Sequence, residues 1–334
     1  MNRPSTPADP ADRRRPRGVR RVLPWIAAVG ILGWLILRVS PDQLGGALAR
    51  GPHLPFFFYT LLANAAFVVA DGWSTQRMLG MAGCHRPLRE LILVRGALNL
   101  VGLLHVVAVQ AVLVLYLHRT GESRGRAALL VAAIIVTQVV GLVILGAPGI
   151  WLSELPTALR VGYPLGLVGV TVGVVALPWI GRTVGERVPR LAILGRLDRR
   201  LLVGATVVRL PHLVVLALGP LGALWIWDIA VPWVEGLILM PTALLVSALP
   251  LTPAGFGTTQ AAMVWLFSPW APGIEGAARE AAVFGASLTW TSYGWLGQLA
   301  IGVLCFLALP TRLRALTSSA AADATAETAE PDVK

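Results

Sequence analysis

Several long apolar runs restrict the fold of this chain more than any other feature of its sequence. Residues 127–147 and 161–180 contain no charged side chain, and residues 22–39 contain only Arg38. A helix of about 20 apolar residues crosses the hydrocarbon layer of a bilayer. The 334 residues are 56% hydrophobic and 13% charged, whereas soluble domains are about 25% charged. The sequence therefore predicts an all-α, polytopic transmembrane helical bundle rather than buried helices in a soluble protein.

The positive charge of the chain is placed where membrane proteins carry it. The formal net charge is +11, Lys334 is the only lysine, and the arginines sit mainly in the ends and short loops. Arginines in such positions set topology and contact lipid headgroups. They do not interleave with exposed aromatic residues, so no nucleic acid partner is expected. We predict a multi-pass protein of the cell membrane with a cytoplasmic N-terminus and anionic membrane lipids as partners.

No catalytic or metal-binding pattern is present in the sequence. Cys84 and Cys305 lie far apart and outside any motif, so they indicate neither a disulfide framework nor a metal site. The chain has no H-E-x-x-H, G-x-S-x-G or P-loop motif and no paired carboxylates placed for acid–base chemistry. We therefore expect a protein that is not an enzyme and that uses no cofactor or metal.

The two ends of the chain differ in composition from its centre. Residues 1–21 are rich in Pro, Asp and Arg, and residues 311–334 contain many Ala, Thr and Glu residues. Both ends are predicted to be disordered tails, and the basic N-terminal tail is expected in the cytoplasm. The membrane domain is predicted to fill residues 22–310.

The arginine-rich loops decide how residues 91–117 are arranged. A single crossing would place the three arginines of residues 118–126 and the six of residues 181–200 outside, against the positive-inside rule. A hairpin that turns near Gly102 and returns keeps both loops in the cytoplasm. We therefore predict about seven to eight spans plus two re-entrant or broken helical elements, of which this hairpin is the first.

The second predicted element is the sequence LPLTPAGFGTTQAAMVWLF at residues 249–267. Its prolines remove backbone donors, and Gly255 and Gly257 permit φ > 0. Thr258 or Gly257 is expected to cap the helix that follows, with Gln260 in its first turn. Broken backbone inside a membrane needs protein or a watery cavity around it, and a helix N-terminus there suits an anion such as a lipid phosphate. A plain loop between two spans is the alternative.

The position of this second element follows from the predicted topology. The preceding apolar segment is expected to return the chain to the cytoplasm, so residues 250–268 are expected to enter the membrane from that side. Residues 280–309 form either one long helix with its C-terminus outside or two helices broken near residues 292–294. Arg312 and Arg314 favour the two-helix alternative. No internal sequence repeat is evident.

Polar side chains inside the apolar segments are the candidate binding residues, because such groups are costly in a membrane. Arg209 either pairs with a lipid phosphate or extends its guanidinium to the cytoplasmic interface, and Arg95 has the same two alternatives. Asn99, Gln138 and Gln260 are either ligands or hydrogen-bonding contacts between helices. The predicted headgroup site comprises Arg95, Asn99, Arg209, His212, Gly255, Gly257, Thr258, Thr259 and Gln260.

Two further titratable side chains lie in these segments and are assigned no ligand. Asp71 is expected near the cytoplasmic face, where it pairs with Arg77 or Arg95, and His105 is expected to be packed or to pair with a polar neighbour. Both are therefore predicted to be structural.

The segment PLTPAGFGTTQAAMVWLF, followed by Gly297 about thirty residues on, resembles the signature of the lysylphosphatidylglycerol synthase transmembrane-region family. The members are flippase-like integral membrane proteins, and their pattern is roughly P-x-T-P-G-G-x-G-x-x-E-A-A. Asn99, Gly102 and the RTGESRGRA run fall where the family has its other motif. The resemblance covers roughly residues 20 to 310 and implies a lipid transporter or flippase for a phospholipid or a polyisoprenyl-phosphate glycolipid.

This sequence also departs from the family pattern. Ala254 and Gly255 stand where the family has a glycine pair, and Gln260 stands where it has a glutamate. The family's proline and acidic residue after Asn99 are absent, as is an arginine near residues 286–288. The chain does not include the soluble aminoacyl-transferase domain of the full-length synthases, so aminoacylation is not expected. The alternative function is a non-catalytic partner of a membrane glycosyltransferase or other lipid-biosynthesis complex, and a membrane-embedded transferase is less favoured.

Overall fold

The computed structural model describes residues 17–39, 41–102, 106–151, 157–183, 199–248, 252, 255–273 and 276–311. Every regular element within these ranges is helical, which confirms the all-α prediction for this part of the chain. The helices are α1 Arg17–Val39, α2 Pro41–Arg50, α3 His53–Met81, α4 Leu88–Gly102, α5 Val106–Arg119, α6 Arg124–Gly146, α7 Thr157–Thr183, α8 Arg199–Ile226, α9 Trp233–Ala248, α10 Thr258–Phe267 and α11 Gly276–Ala308. Short 3-10 turns follow α6 and α10.

Four helices in the described part of the chain are long and apolar enough to cross a membrane. They cover His53–Met81, Arg124–Gly149, Arg200–Ile226 and Gly276–Ala308 and correspond to α3, α6, α8 and α11. Shorter apolar helices lie at Ile26–Val39, Ala108–Arg119, Pro164–Gly173 and Trp233–Ser247. These helices indicate a membrane protein, and the predicted seven to eight spans remain a prediction.

The N-terminal boundary of the helical part differs from the predicted one. Helix α1 begins at Arg17, so residues 17–21, which were expected in a disordered tail, are helical. Extending an existing helix adds one hydrogen bond for each residue that is fixed, which makes such an extension inexpensive. The rest of the two predicted tails, residues 1–16 and 312–334, lies outside the described residues.

Two units of the same design make up most of the bundle. Helices α3 to α6 and helices α8 to α11 each consist of a long helix, two short helices and a second long helix. The ring of His53 at the start of α3 lies 6.2 Å from the ring of Trp227 just after α8. At the other end, a Cβ added to Gly204 near the start of α8 would lie 3.3 Å from the sulfur of Met81. The two units therefore run in opposite directions and form an inverted repeat.

The first short helix of each unit packs against the second long helix of the other unit. Helix α4 packs against α11, α9 packs against α6, and α3 packs against α8. An added Cβ at Gly96 would lie 2.3 Å from Cys305 Sγ, and one at Gly141 would lie 2.2 Å from Leu213 Cδ1. Glycine thus brings the helices of the two units into close contact, as small residues do between membrane helices. The helix faces that are directed at the other unit therefore lie in the interior of the protein.

The first predicted hairpin is present and is formed by α4 and α5. Helix α4 ends at Gly102, and α5 begins at Val106, so the interruption falls where the sequence placed it. The Tyr116 hydroxyl near the end of α5 donates to Glu90 Oε1 near the start of α4. Because these two ends meet, the chain returns to the end of the bundle from which α4 departs.

The second hairpin is formed by α9 and α10 and opens at the opposite end of the bundle. The rings of Trp225 in α8 and Trp233 at the start of α9 are 4.5 Å apart. An added Cβ at Gly285, in the third turn of α11, would lie 3.3 Å from Cζ3 of Trp227 just after α8, so α11 starts at the end of the bundle where α9 also starts. The expectation that both elements are entered from one side is therefore wrong. Helix α9 is 16 residues long, about 24 Å, which is too short to carry the chain across a membrane.

The predicted break in the last apolar segment is also wrong. Helix α11 is continuous over 33 residues. The hydroxyl of Thr291 donates to the Ser287 carbonyl at 3.0 Å, and that of Ser292 donates to the Leu288 carbonyl at 2.9 Å. These polar side chains are satisfied within the helix and give it no reason to break. Since α11 starts beside the second hairpin, it reaches the end where the first hairpin opens without interruption.

Cysteine labelling checks this arrangement of the hairpins. Arg124→Cys lies beside the first hairpin and Pro272→Cys beside the second, both at exposed positions. In a Cys84→Ala/Cys305→Ala background, a membrane-impermeant maleimide should label Pro272→Cys in intact cells and Arg124→Cys only after permeabilisation. The two native cysteines are replaced so that only the introduced thiol reacts. Burial raises the pKa of the Cys84 thiol, which slows its reaction but does not prevent it. Labelling of both positions from one side would contradict the inverted arrangement.

Candidate functional site

A cluster of charged and polar side chains lies inside the bundle where α3, α4, α6 and α8 meet. Asp71 Oδ2 accepts a hydrogen bond from Arg95 Nε. Asp71 Oδ1 lies 3.4 Å from Arg209 Nη2 and 3.7 Å from His212 Nε2. Arg209 Nη2 also lies 3.4 Å from Gln138 Oε1. We call these five residues the charged cluster; α3, α4 and α6 supply three of them and α8 the other two.

Three of the five residues of the charged cluster are deeply buried, and Arg95 and Gln138 are partly exposed. Arg209 is 0% exposed, His212 1% and Asp71 3%. Asp71 and Arg209 each lie about 15 Å from the near ends of α3 and α8, given a rise of about 1.5 Å per residue. The alternative in which Arg209 reaches the interface is therefore wrong, because Asp71 provides a carboxylate inside the protein.

The charges in this cluster do not balance. Among the described residues, two guanidinium groups face one carboxylate, which leaves one positive charge when His212 is counted as neutral. Arg209 Nε and Nη1, Arg95 Nη1 and His212 Nδ1 are buried and find no hydrogen-bond partner among the described residues. Buried donors are nearly always paired, and an unpaired one is costly. The cluster is therefore suited to bind a further group that carries negative charge and acceptor oxygens.

Close contact between α3 and α4 brings the ion pair together. An added Cβ at Gly72 would lie 2.7 Å from Ile92 Cγ1 and 2.9 Å from Ile92 Cα. This lack of a side chain lets the two backbones approach, so that Asp71 and Arg95 meet. The His212 ring also packs against the ring of Phe67, with 5.1 Å between the ring centres.

The structure brings together three of the predicted site residues and adds two. Arg95, Arg209 and His212 meet in the charged cluster, but Asp71 and Gln138 were not among the predicted site residues. Both were visible in the sequence as polar groups inside apolar segments; Asp71 was interpreted as a structural partner of an arginine, and Gln138 was left as either a ligand or a contact between helices. Asp71 does pair with Arg95, one of its two predicted partners.

Of three other polar residues singled out in the sequence, Asn99 lies beside the cluster and Arg77 lies at the surface. Asn99 follows Arg95 by one helical turn on the same face of α4, and its Nδ2 has no partner among the described residues. Arg77 is exposed and stacks on Trp73, with 5.9 Å between the guanidinium carbon and the ring centre. His105 lies outside the described residues.

A second group of predicted residues surrounds the N-terminus of α10. Gly257 is the N-cap of this helix with φ 91°, and Gly255 has φ 72°, as the glycine positions predicted. The Gly257 amide donates to Gln260 Oε1 at 2.6 Å. Gln260 Nε2 donates to Thr291 Oγ1 of α11 at 2.9 Å. The amide of Gln260 thus ties the turn to its own helix and to α11.

The threonines of this turn are satisfied in the same way. Thr258 Oγ1 donates to the Gly255 carbonyl at 3.0 Å and lies 3.1 Å from Thr252 Oγ1. Thr259 Oγ1 donates to the Gly255 carbonyl at 2.9 Å. The hydrogen bonds of this group run to the turn itself and to α11 rather than to the arginines. The predicted site is therefore divided between the charged cluster and a separate turn whose polar side chains are already paired.

Substitution of Gly255 tests whether this turn requires a residue without a side chain at a positive φ. In Gly255→Ala the new Cβ would lie 2.8 Å from the Ser247 carbonyl oxygen, and the positive φ costs a side chain about 1–2 kcal/mol. We expect a lower thermal unfolding midpoint in detergent. Gly294→Ala, in the interior of α11 with no atom near the added Cβ, is the matched control. An equal midpoint for both variants would contradict the strain at Gly255.

No protein-family model matches the chain, and no curated protein matches it. The resemblance to the lysylphosphatidylglycerol synthase transmembrane-region family therefore remains a prediction. Within the described residues, no group of three or more His, Cys, Asp and Glu side chains is placed to hold a metal ion. The fold and the cluster together define a helical membrane-protein architecture with a buried, net positive site between two inverted units.

Proposed function

We propose that the protein is an integral membrane lipid transporter of the flippase type, which moves a phosphate-bearing headgroup across the bilayer. The substrate is a phospholipid or a polyisoprenyl-phosphate glycolipid. The observation that carries this proposal is the charged cluster, with one unbalanced positive charge and unpartnered arginine donors inside the bundle. Ionisable residues in such positions mark substrate pathways in membrane proteins.

The chemistry of the cluster fits a phosphate. Arginine is never deprotonated in proteins and presents several donors that match phosphate oxygens. Arg209 uses one nitrogen toward Asp71 and Gln138, which leaves Nε and Nη1 for a ligand. Arg95 contributes Nη1 from a different helix. A phosphate between them would pair with donors from both units.

The inverted repeat supports transport by alternating access. In many transporters the substrate site lies at the interface of inverted repeats, near interrupted helices. Here Asp71, Arg95 and Gln138 belong to one unit and Arg209 and His212 to the other, and the two hairpins open at opposite ends. Rocking of one unit against the other would open the cluster first to one side and then to the other. In this proposal the N-terminus and the first hairpin face the cytoplasm of a multi-pass cell-membrane protein.

Translocation by the purified protein tests the proposal. The native protein is placed in liposomes with fluorescent anionic or zwitterionic phospholipids of identical acyl chains, and a membrane-impermeant quencher reports headgroups in the outer leaflet. We expect the protein to accelerate translocation of the anionic lipid above that of protein-free liposomes. No acceleration for any phospholipid or polyisoprenyl phosphate would reject the transporter and favour the non-catalytic partner of a glycosyltransferase or lipid-modifying enzyme.

A further inference from the structure

We infer that the charged cluster selects lipids whose headgroup is a phosphodiester with a single negative charge, and that Asp71 sets this selection. Lipids with a phosphomonoester or a diphosphate would be disfavoured. This inference rests on the proposed transport function and narrows its substrate class.

The unbalanced charge of the cluster favours a ligand with a single negative charge. Within the described residues, Arg95 and Arg209 together face one carboxylate, that of Asp71. Uncompensated charge is expensive at a site that is almost fully buried, since it has lost its water and gained no counter-ion. One added negative charge makes the cluster neutral, whereas a second would leave an unpaired negative charge. A phosphodiester supplies one charge and a phosphomonoester close to two near neutral pH.

The donors left by Asp71 are the second argument. Asp71 already accepts from Arg95 Nε and lies in reach of Arg209 Nη2 and His212 Nε2. It therefore occupies the place that a second negative charge on the ligand would need. Among the described residues, the remaining donors without a partner are Arg209 Nε and Nη1 and Arg95 Nη1. They suffice for the two non-bridging oxygens of a diester.

Two substitutions change the net charge of the charged cluster in opposite directions while the shape of the side chain changes little. Asp71→Asn removes the internal carboxylate and leaves two unbalanced positive charges. Gln138→Glu places a carboxylate 3.4 Å from Arg209 Nη2, where an amide oxygen lies now, and brings the cluster to neutrality. The first should favour a dianionic headgroup, and the second should disfavour every anionic headgroup.

The test is a competition in liposomes at pH 8, where an ordinary histidine is neutral and a phosphomonoester is nearly dianionic. Phosphatidylglycerol and phosphatidic acid with identical acyl chains and distinct fluorophores serve as the diester and the monoester. We expect native protein to translocate the diester about tenfold faster, and Asp71→Asn to shift the ratio toward the monoester by about tenfold, each corresponding to about 1.4 kcal/mol. Gln138→Glu should slow the diester at least about tenfold, and the uncharged Gln138→Met should slow it less.

The outcomes separate this inference from the function on which it rests. If native protein translocates both lipids at one rate, and neither variant changes the ratio or the rates, the inference is overturned and transport stands. If native protein translocates neither lipid nor any other anionic lipid, the proposed function fails and the inference with it. Should Asp71→Asn not fold, Gln138→Glu decides: diester translocation at the native rate overturns the inference.

Discussion

Replacement of Arg209 by glutamine is expected to reduce lipid translocation by about 100-fold while the helix bundle stays folded. Arg209 is fully buried and holds two of the unpartnered donors of the charged cluster. Loss of one member of a buried, hydrogen-bonded charge pair costs about 2–5 kcal/mol in binding. Asp71 keeps Arg95 as its partner, so the fold retains a counter-ion for the carboxylate. The measurement is the initial rate of translocation in liposomes.

Two further variants show whether the loss of translocation is specific to the guanidinium of Arg209. Arg209→Lys keeps the charge but presents a compact ammonium in place of the planar guanidinium, so we expect a rate between those of the native protein and Arg209→Gln. Arg182→Gln removes an exposed arginine in the last turn of α7 and should leave the rate unchanged. Equal rates for Arg209→Gln and Arg182→Gln would show that the cluster does not bind the headgroup.

Replacement of Asp71 by leucine is expected to destabilise the protein by about 3–5 kcal/mol, the cost of removing one partner of a buried ion pair. Asp71 is the carboxylate shared by Arg95, Arg209 and His212. Without it two buried guanidinium groups would face each other. The measurement is the unfolding midpoint in detergent, with Asp42→Leu at an exposed position of α2 as the control.

A double variant shows whether the loss comes from unpaired charge. Asp71→Leu/Arg95→Leu removes one positive charge together with the carboxylate, so we expect it to be more stable than Asp71→Leu alone. This follows because replacing both members of a buried pair by apolar residues is often nearly neutral. A double variant that is less stable by the sum of the two single losses would contradict the electrostatic explanation.

The features that the sequence predicted well are those with local signals. Apolar length predicted the helical membrane class, and the loop arginines placed an interruption near Gly102, where α4 ends. The order of glycines and polar residues predicted the turn at Gly257 and the position of Gln260. Arg95 and Arg209 were recognised because a charged residue within an apolar segment needs a partner.

The second hairpin could not be placed because its surroundings carry no charge signal. Residues 228–278 contain no lysine or arginine, so the positive-inside rule could not be applied to the loops between α8 and α11. The inverted repeat has no matching sequence repeat and depends on how α4 packs against α11 and α9 against α6. Nor could the sequence show that hydroxyls such as that of Thr291 bond within α11 and leave the helix continuous.

The composition of the charged cluster could not be predicted because its residues are far apart in the sequence. Asp71 and Arg209 are 138 residues apart in sequence and meet because α3 packs on α8. A single sequence shows that each is polar and lies in an apolar segment, but it does not show that they face each other. Gln138 was visible in the same way, and only the packing of α6 on α8 places it beside Arg209.

The most direct test of the account is to find where a lipid headgroup contacts the protein. A phospholipid with a photoreactive diazirine in its phosphodiester headgroup is incorporated into liposomes with the native protein, irradiated, and mapped by mass spectrometry. We expect adducts on α3, α4, α6 and α8 beside Asp71, Arg95, Gln138 and Arg209, and we expect them to be lost in Arg209→Gln. Adducts confined to the exposed ends of the helices, unchanged in that variant, would contradict a headgroup site inside the bundle.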